Sequence, residues 1–184
     1  MSSSKNITDA KITISGKSGC GNTTVSRILS EKLKIRFINF TFRSLAQEKG
    51  LDLKKILELA AKDDFWDREV DTRQVELARE KGGCVLGSRL AIWMLPEADI
   101  KIFLEASPET RAKRIQAREG GSLEDILKFT SERDRQDQER YKRIYKIDND
   151  DHSFADLVID VNTTGVEEIS ERIITELKRK LSSS

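Results

Sequence analysis

Residues 12–33 read ITISGKSGCGNTTVSRILSEKL, an apolar run, a glycine-rich turn and an amphipathic stretch in succession. The run from Ala10 to Ile14 alternates and is rich in β-branched residues, which predicts a β-strand. The apolar residues of the amphipathic stretch are Val25, Ile28, Leu29 and Leu33. Their spacing predicts a helix from Thr23 to Leu33. A strand, a tight loop and a helix are therefore expected in direct sequence.

The glycine-rich turn matches most of the phosphate-binding pattern G-x-x-x-x-G-K-[S/T]. Gly16, Gly21 and Thr23 occupy its fixed positions, but Asn22 stands where the pattern has lysine. Glycines let successive backbone N–H groups converge on one anion, and the positive end of the following helix adds to them. That chemistry does not require the lysine, and Lys17 is the candidate to supply the missing charge. The alternative is a tight strand-to-helix turn that binds no ligand.

The rest of the chain alternates between strand and helix patterns. Further strands are predicted at 36–39, 84–87, 100–104 and 156–160, and further core helices from Ser107-Pro108 and over 166–181. This alternation predicts a doubly wound α/β sheet with right-handed crossovers. Two charged helical segments interrupt it. One comprises two or three short helices at about 41–80, the other is a hairpin at about 111–146, and both are candidate mobile lids.

Length and charge restrict the class of protein. A chain of 184 residues predicts one globular domain. Lys and Arg total 33 against 32 Asp and Glu, a net charge of +1, which argues against a broad nucleic-acid or anionic-membrane surface. No apolar stretch suits a secretory signal or a membrane span, so a cytoplasmic protein is expected. The polar triplets Ser2–Ser4 and Ser182–Ser184 predict frayed ends.

The cysteines and the histidine exclude several kinds of site. Cys20 and Cys84 are too few for a disulfide framework and lack the paired spacing of a zinc site, so reduced thiols are expected. The single histidine, His152, argues against a histidine-based nucleophilic triad or a multi-histidine metal site. Its polar neighbours predict a solvated loop residue.

Four segments beyond the loop carry a family resemblance. They are Phe42-Arg43-Ser44-Leu45-Ala46-Gln47-Glu48-Lys49-Gly50, Asp67-Arg68-Glu69-Val70-Asp71-Thr72-Arg73-Gln74, Gly87-Ser88-Arg89-Leu90-Ala91 and Glu132-Arg133-Asp134-Arg135-Gln136-Asp137-Gln138-Glu139-Arg140-Tyr141. Together with the loop, their order and spacing resemble the cytidylate kinases over nearly all of residues 10–181. The likeness is closest to the short archaeal-type branch of these P-loop nucleoside monophosphate kinases, in which loops lacking the usual lysine also occur.

The resemblance implies a P-loop NTPase fold with a five-stranded parallel sheet in the order 2-3-1-4-5. It implies a single kinase domain over 1–184, with a core at about 8–40, 81–110 and 147–182, a monophosphate-binding insertion at about 41–80 and a lid region at about 111–146. The implied reaction transfers the ATP γ-phosphoryl group to CMP or dCMP, with Mg²⁺ as cofactor, giving ADP and CDP or dCDP. A monomer that binds neither nucleic acid nor membrane is expected.

The resemblance also implies a set of ATP-binding residues. These are Gly16, Lys17, Ser18, Gly19, Cys20, Gly21, Asn22, Thr23, Thr24 and Arg114, with the Thr23 hydroxyl on Mg²⁺. Arg114 and Arg118, four residues apart on one helical face, match lid arginines that approach ATP, and Arg111 is a possible third member. Lys17, Arg114, Arg118 and Arg133 are the predicted catalytic residues, since phosphoryl transfer depends mainly on positioning and charge neutralisation.

For the acceptor CMP, the implied residues are Arg43, Arg73, Gln74, Arg89, Arg133, Asp137 and Arg140. Arg43 and Arg89 match arginines that grip the acceptor phosphate, for which the guanidinium fork is suited. Arg73 and Gln74 are placed to reach ribose or base. Arg133, Asp137 and Arg140 fall on one helical stripe. The alternative for all these charged residues is a salt-bridged, solvated helix face.

Two departures from the family pattern bear on specificity and on the metal. Larger bacterial cytidylate kinases carry an aspartate that helps to read cytosine directly after the arginine that follows the third strand, whereas Leu90 follows Arg89 here. The end of that strand also lacks an acidic residue to order the metal's water shell, so Ser88 or an acidic residue elsewhere must serve. Two alternatives remain open: a nucleotide-sensing regulator with a degenerate loop, and a kinase for another small acceptor such as a nucleoside, shikimate or a coenzyme precursor.

Overall fold

A computed structural model describes residues 6–183. Its single sheet contains β1 (Lys11–Ser15), β2 (Arg36–Ile38), β3 (Cys84–Gly87), β4 (Ile100–Glu105) and β5 (Leu157–Asp160). All neighbouring strands are parallel, and their order is β2-β3-β1-β4-β5. The predicted parallel sheet and its strand order are therefore confirmed.

The helices are α1 (Asn22–Leu33), α2 (Phe42–Lys49), α3 (Leu53–Ala60), α4 (Phe65–Arg79), α5 (Ala91–Met94), α6 (Pro108–Glu119), α7 (Leu123–Tyr145) and α8 (Val166–Ser182). Three of them lie between β2 and β3, where two or three were expected. The first of these ends at Gly50, whose φ of 65° suits a residue without a side chain. The short α5 and a 3₁₀ turn at Ile7–Asp9 were not predicted.

The central strand β1 sets the register of the sheet. Ile12 pairs with Val85 of β3, and Ile14 pairs with Ile102 of β4. Helices α1 and α8 pack on one face, where their buried apolar residues join those of β1, β4 and β5. Helices α4 and α5 contribute to a second core with β2 and β3. Cover on both faces explains why the strands read as nearly continuous apolar runs. Because β1, β3 and β4 are parallel, their carboxyl ends lie at one edge of the sheet.

Some local predictions need correction. Strand β1 begins and ends one residue later than its apolar run, because Ser15 is also buried in the sheet. Ser182 is not frayed, since it completes α8 and its hydroxyl donates to the Lys178 carbonyl at 2.9 Å. Ser2–Ser4 and Ser184 lie outside the described residues. Over residues 6–183 no helix has the length and apolarity needed to cross a membrane.

His152 is not the solvated residue that its polar neighbours predict. Its ring stacks on Phe103 with 3.9 Å between centroids, and its Nε2 lies 2.8 Å from Glu105 Oε1. The flat imidazole covers an aromatic ring at the end of β4, and only 22% of the side chain is exposed. Cys20 and Cys84 are both buried and form no disulfide within the described chain, as expected.

Candidate active site

The loop between β1 and α1 depends on glycine at positions where a side chain does not fit. Gly19 has a φ of 88°, and a Cβ there would lie 2.9 Å from the Cβ of Arg111. A Cβ on Gly16 would lie 2.6 Å from the Leu104 carbonyl oxygen. Gly21 is the N-cap of α1 and has no side chain to accept hydrogen bonds from the first N–H groups of the helix. The loop is therefore built as a backbone cradle for an anion.

A cavity of about 440 Å³ opens above this cradle. Its lining comprises Lys17, Ser18, Gly19, Gly21, Asn22, Thr23, Thr24, Gly87, Ser88, Arg89, Arg114 and Arg118. We call it the loop cavity. Most of the predicted ATP-binding residues meet here. Gly16 and Cys20 do not line it, because both are buried beneath the loop. Burial also raises the pKa of the Cys20 thiol.

Asn22, which replaces the usual lysine, holds the loop together. Its Nδ2 donates to the Gly16 carbonyl at 2.6 Å, so its side chain bridges the two ends of the glycine turn. Its Oδ1 is buried and has no hydrogen-bond partner among residues 6–183. Asn22 thus stabilises the cradle but brings no positive charge to it.

Lys17 carries the positive charge of the loop itself. Its Nζ lies 3.0 Å from Oδ1 of Asp150, in the segment between α7 and β5. The other oxygen of Asp150 accepts a hydrogen bond of 2.6 Å from Gln138 of α7. Lys17 and Asp150 are 37% and 53% exposed, and exposed ion pairs of this kind contribute little to stability. The Lys17 ammonium can therefore leave Asp150 and pair with another anion at a small cost in free energy.

Arg111 was considered a third lid arginine, but its side chain is buried and supports the loop. Its guanidinium donates to the Ser18 carbonyl at 3.1 Å and pairs with Asp134 of α7 at 2.7 Å. Arg114 and Arg118 stay at the surface of the loop cavity. Arg114 donates to the carbonyls of Gly19, at 3.5 Å, and Val161, whereas Arg118 pairs with its neighbour Glu119.

A second cavity, of about 290 Å³, lies beside the first and shares Gly87, Ser88 and Arg89 with it. The rest of its lining is Asn39, Phe40, Thr41, Phe42, Asp67, Val70, Asp71, Gln74, Leu90, Arg133, Arg140 and Tyr141. We call it the acceptor cavity. The shared residues follow β3 at the carboxyl edge of the sheet, which is where ligands bind in folds of this class.

An ion-pair network organises the cationic end of the acceptor cavity. Asp137 is only 6% exposed, and its two oxygens lie 2.8 Å from Arg89 and 2.9 Å from Arg140. Arg140 also approaches Asp67 of α4 at 3.6 Å. The predicted stripe of Arg133, Asp137 and Arg140 therefore faces the interior rather than solvent. Burial and the nearby Arg89 lower the pKa of Arg133, which forms no ion pair within 4 Å in the described chain.

The remaining acceptor candidates differ in where they lie. Gln74 is buried at the cavity wall, and its Nε2 donates to the Phe40 carbonyl at 3.1 Å. Arg73 points away and bonds to Glu48 and Glu76. Arg43 is exposed, and neither of these two arginines lines either cavity. Four of the seven predicted acceptor residues thus line the cavity, Asp137 pairs with two of them, and Arg43 and Arg73 lie outside.

The sequence places this architecture in a family. Residues 11–163 match the cytidylate kinase-like family. "Cytidylate kinase 2" of Borreliella afzelii is 45% identical over 174 residues, which cover 92% of this chain and 97% of the relative. "Cytidylate kinase" of Methanocaldococcus jannaschii is 43% identical over 162 residues, covering 85% and 90%. The chain belongs to the cytidylate kinase-like family. It is a nucleoside monophosphate kinase.

Solved structures confirm the fold of this family member but carry no information on its substrate. An uncharacterized protein from Eubacterium ventriosum superposes with a TM-score of 0.66 at 21% identity, covering 92% of this chain and 98% of that one. Shikimate kinase from Bacteroides thetaiotaomicron gives 0.63 at 16% identity, with the same coverage. Both share the fold described above.

Two acidic residues of the kinase's acceptor cavity escaped the sequence analysis. Asp67 and Asp71 line the cavity from α4 together with Gln74. Their positions i, i+4 and i+7 place all three on one helical face, and this periodicity is a signal that the sequence contains. Asp150, the partner of Lys17, could not have been found in this way, because it lies in an irregular segment far from the loop in sequence.

Proposed function

We propose that this kinase transfers the γ-phosphoryl group of ATP to CMP or dCMP, giving ADP and CDP or dCDP. The bond from the γ-phosphorus to the β,γ-bridging oxygen of ATP breaks, and a new bond forms to an oxygen of the acceptor phosphate. The observation that carries the proposal is the wall shared by the two cavities. Two nucleotides that meet at Arg89 have their phosphates adjacent, as an in-line transfer requires.

The donor nucleotide is assigned to the loop cavity. In this proposal the backbone N–H groups of the loop and of the first turn of α1 hold the ATP phosphates, and Arg114 and Arg118 approach from α6. Lys17 leaves Asp150 and moves to the phosphates, where it supplies the positive charge of the lysine that the usual loop pattern has at position 22. Positive charges placed in advance around developing phosphate charge are the main source of rate enhancement in such reactions.

The acceptor is assigned to the second cavity. Arg89, Arg133 and Arg140 are placed to bind the acceptor phosphate, with Asp137 orienting Arg89 and Arg140. Gln74 lines the part of the cavity that is not shared with the loop cavity, where ribose or base would lie. Arg43 and Arg73 join only if the insertion at 41–80 moves toward the core as a monophosphate-binding unit. The segment at 111–146 would act as the lid, and both cavities belong to one chain, consistent with a monomer.

Magnesium fits the donor site through oxygen ligands. The Thr23 hydroxyl makes no hydrogen bond within residues 6–183 and lies exposed at the loop cavity, so it is available as a hard oxygen ligand. The described chain holds no group of three or more His, Cys, Asp or Glu side chains suited to a metal ion, so the other ligands would be ATP oxygens and water. When bound, Mg²⁺ neutralises charge on the transferring phosphate.

A coupled assay of ADP release with CMP, dCMP, UMP, AMP and shikimate as acceptors tests the proposal. We expect turnover with CMP or dCMP that depends on Mg²⁺, and chromatography should identify CDP or dCDP as the product. Turnover with shikimate alone would assign another acceptor. ATP binding without turnover of any acceptor would contradict the proposed reaction.

A further inference from the structure

Asp71 has no part in gripping the acceptor phosphate, yet it lines the acceptor cavity from α4. The Tyr145 hydroxyl, from the end of α7, donates to its Oδ2 at 2.6 Å. This is the only hydrogen bond that Asp71 forms within the described chain, and no Lys or Arg there lies within 4 Å of its carboxyl group. Its Oδ1 is therefore available to a ligand in the cavity.

Asp71 lies outside the part of the acceptor cavity that adjoins the loop cavity. Gly87, Ser88 and Arg89 are shared with the loop cavity, so an acceptor phosphate that receives the γ-phosphoryl group lies beside them. The rest of a nucleotide must extend away from that wall. The part of the lining that the loop cavity does not share includes Asp71 and Gln74 of α4 and Phe40 after β2. Asp71 thus belongs to the part of the cavity that is left for the ribose and the base.

The surroundings of Asp71 disfavour its ionised form. The charged carboxylate therefore lowers the stability of the protein unless a ligand binds to it. Burial raises its pKa to about 6, and Asp67 acts in the same direction, while Tyr145, Arg140 and Arg89 oppose the shift. Above that pH the group is an acceptor-only carboxylate with one oxygen unsatisfied by protein. A carboxylate kept in such surroundings is a candidate for ligand recognition.

Cytosine and uracil differ at the group that such a carboxylate can distinguish. Position 4 carries an amino donor in cytosine and a carbonyl acceptor in uracil. We propose that Asp71 selects cytosine over uracil, with its Oδ1 accepting a hydrogen bond from the exocyclic amino group while Tyr145 holds Oδ2. This inference rests on the proposed CMP kinase function. Uracil would place its carbonyl oxygen against the carboxylate, leaving two acceptors without a proton between them.

Other polar residues of the cavity are less suited to this selection. Leu90, which follows Arg89 and lines the cavity, has no polar atom in its side chain. Asp67 approaches Arg140, and both oxygens of Asp137 are taken by arginines. Gln74 donates its Nε2 to the Phe40 carbonyl and keeps only a neutral amide oxygen, which is a weaker acceptor than a carboxylate. Asn39 carries both a donor and an acceptor, so its amide can satisfy either base by rotation.

The test measures kcat/KM for CMP and UMP in the wild type, Asp71→Asn and Tyr145→Phe. An amide in place of the carboxylate presents a donor as readily as an acceptor, so Asp71→Asn should lower the CMP-to-UMP ratio by about tenfold or more. KM for ATP should not change. Tyr145→Phe removes the group that fixes the carboxylate and should lower the same ratio by a smaller factor. Glu69→Gln is the matched control on α4, because Glu69 pairs with Lys49 outside the cavity.

The outcomes separate the two proposals. Absence of CMP turnover in the wild type contradicts the proposed function, whereas normal CMP turnover with an unchanged ratio in Asp71→Asn contradicts only the role of Asp71. Equal wild-type use of UMP and CMP also overturns that role. If Asp71→Asn fails to fold in a thermal melt, Tyr145→Phe decides: a lowered ratio supports the selection, and a ratio equal to that of Glu69→Gln rejects it.

Discussion

The loop cavity and the acceptor cavity share a wall but are constructed in opposite ways. The loop cavity is formed largely by one short segment, residues 17–19 and 21–24, and its shape depends on glycines that have no side chain. The acceptor cavity is formed by side chains from α4, α7 and the ends of β2 and β3, and it depends on buried charges that satisfy one another. Added atoms should therefore damage the first site, and removed atoms should damage the second.

The largest expected effect is that of adding one methyl group to the loop. In Gly19→Ala the new Cβ would meet the backbone and Cβ of Arg111 at about 2.9 Å, and φ would stay at 88°. Arg111 cannot easily withdraw, because its side chain is bound to Ser18 and Asp134. Displacing several phosphate-binding N–H groups together should lower kcat/KM for ATP by about 1000-fold.

Gly50→Ala provides the control for this loop variant. Gly50 also has a positive φ, of 65°, but nothing lies within 4 Å of its potential Cβ. The backbone strain alone should cost about 1 to 2 kcal/mol of stability and leave the Michaelis constant for ATP unchanged. If the two variants have the same kinetic parameters, the close approach of Arg111 has no functional meaning.

The next largest effect is expected at Lys17, the cationic side chain of the loop. Lys17→Ala should lower kcat by about 100-fold while leaving the melting temperature within a few degrees of wild type, because the lysine is half-exposed and its ion pair is weak. Asp150→Asn removes the same ion pair but keeps the cation. It should change kcat far less, and an equal loss in both variants would assign the effect to the ion pair rather than to the ammonium.

Asp137 and Asp134, three residues apart on α7, allow the two cavities to be compared on one helix. Asp137 holds Arg89 and Arg140 in the acceptor cavity, whereas Asp134 holds Arg111 beneath the loop. Asp137→Ala leaves two partly buried guanidinium groups without this partner and should raise the dissociation constant of CMP by about 30-fold, with less effect on ATP. Asp134→Ala should weaken the binding of ATP more than the binding of CMP. Titration calorimetry with each nucleotide measures this, and identical losses for both nucleotides in both variants would contradict the division.

The two cavities also differ in how far the sequence predicts them. The loop is local, so its glycines, its following helix and the missing lysine can all be recognised in one short segment. The alternation of strands and helices predicts the α/β class, whereas the order of the strands follows only from the family resemblance. The acceptor cavity is predicted only in part: Arg89, Arg133 and Arg140 line it and Asp137 pairs with two of them, but Asp67 and Asp71 were not among the predicted residues.

The residues that escaped prediction did so for physical reasons. Arg111 and Arg114 are both arginines of α6, and only tertiary packing decides that Arg111 is buried while Arg114 remains exposed. Asp150 meets Lys17 across a separation that no periodic pattern describes. His152 stacks on Phe103 because the segment before β5 folds back over β4, which its polar sequence does not indicate. Contacts of this kind arise from the fold and not from local sequence.

The smallest expected effect is on the free energy of unfolding. It tests whether the acceptor cavity holds Asp71 as a buried charge. Burial raises the folded-state pKa of this carboxyl from 3.8 to about 6, so the folded protein binds its proton more tightly than the unfolded chain does. Below about pH 4 the group is protonated in both states and carries no penalty. As the pH rises from about 4 to about 6 the unfolded chain ionises first, and the free energy of unfolding falls; above this range the loss is constant. A shift of this size corresponds to at most about 3 kcal/mol.

Asp71→Asn removes the charge but keeps an oxygen that can accept the Tyr145 hydrogen bond. Its free energy of unfolding should therefore match that of the wild type near pH 4 and exceed it by about 1 to 2 kcal/mol near pH 7.5, because the buried carboxylate is only partly shielded from water. Asp67 also has a raised pKa, but it is present in both proteins and largely cancels in the difference. Urea denaturation at several pH values measures that difference. A constant value between pH 4 and 7.5 would mean that Asp71 ionises as easily in the folded protein as in the unfolded chain, and that the acceptor cavity does not desolvate it.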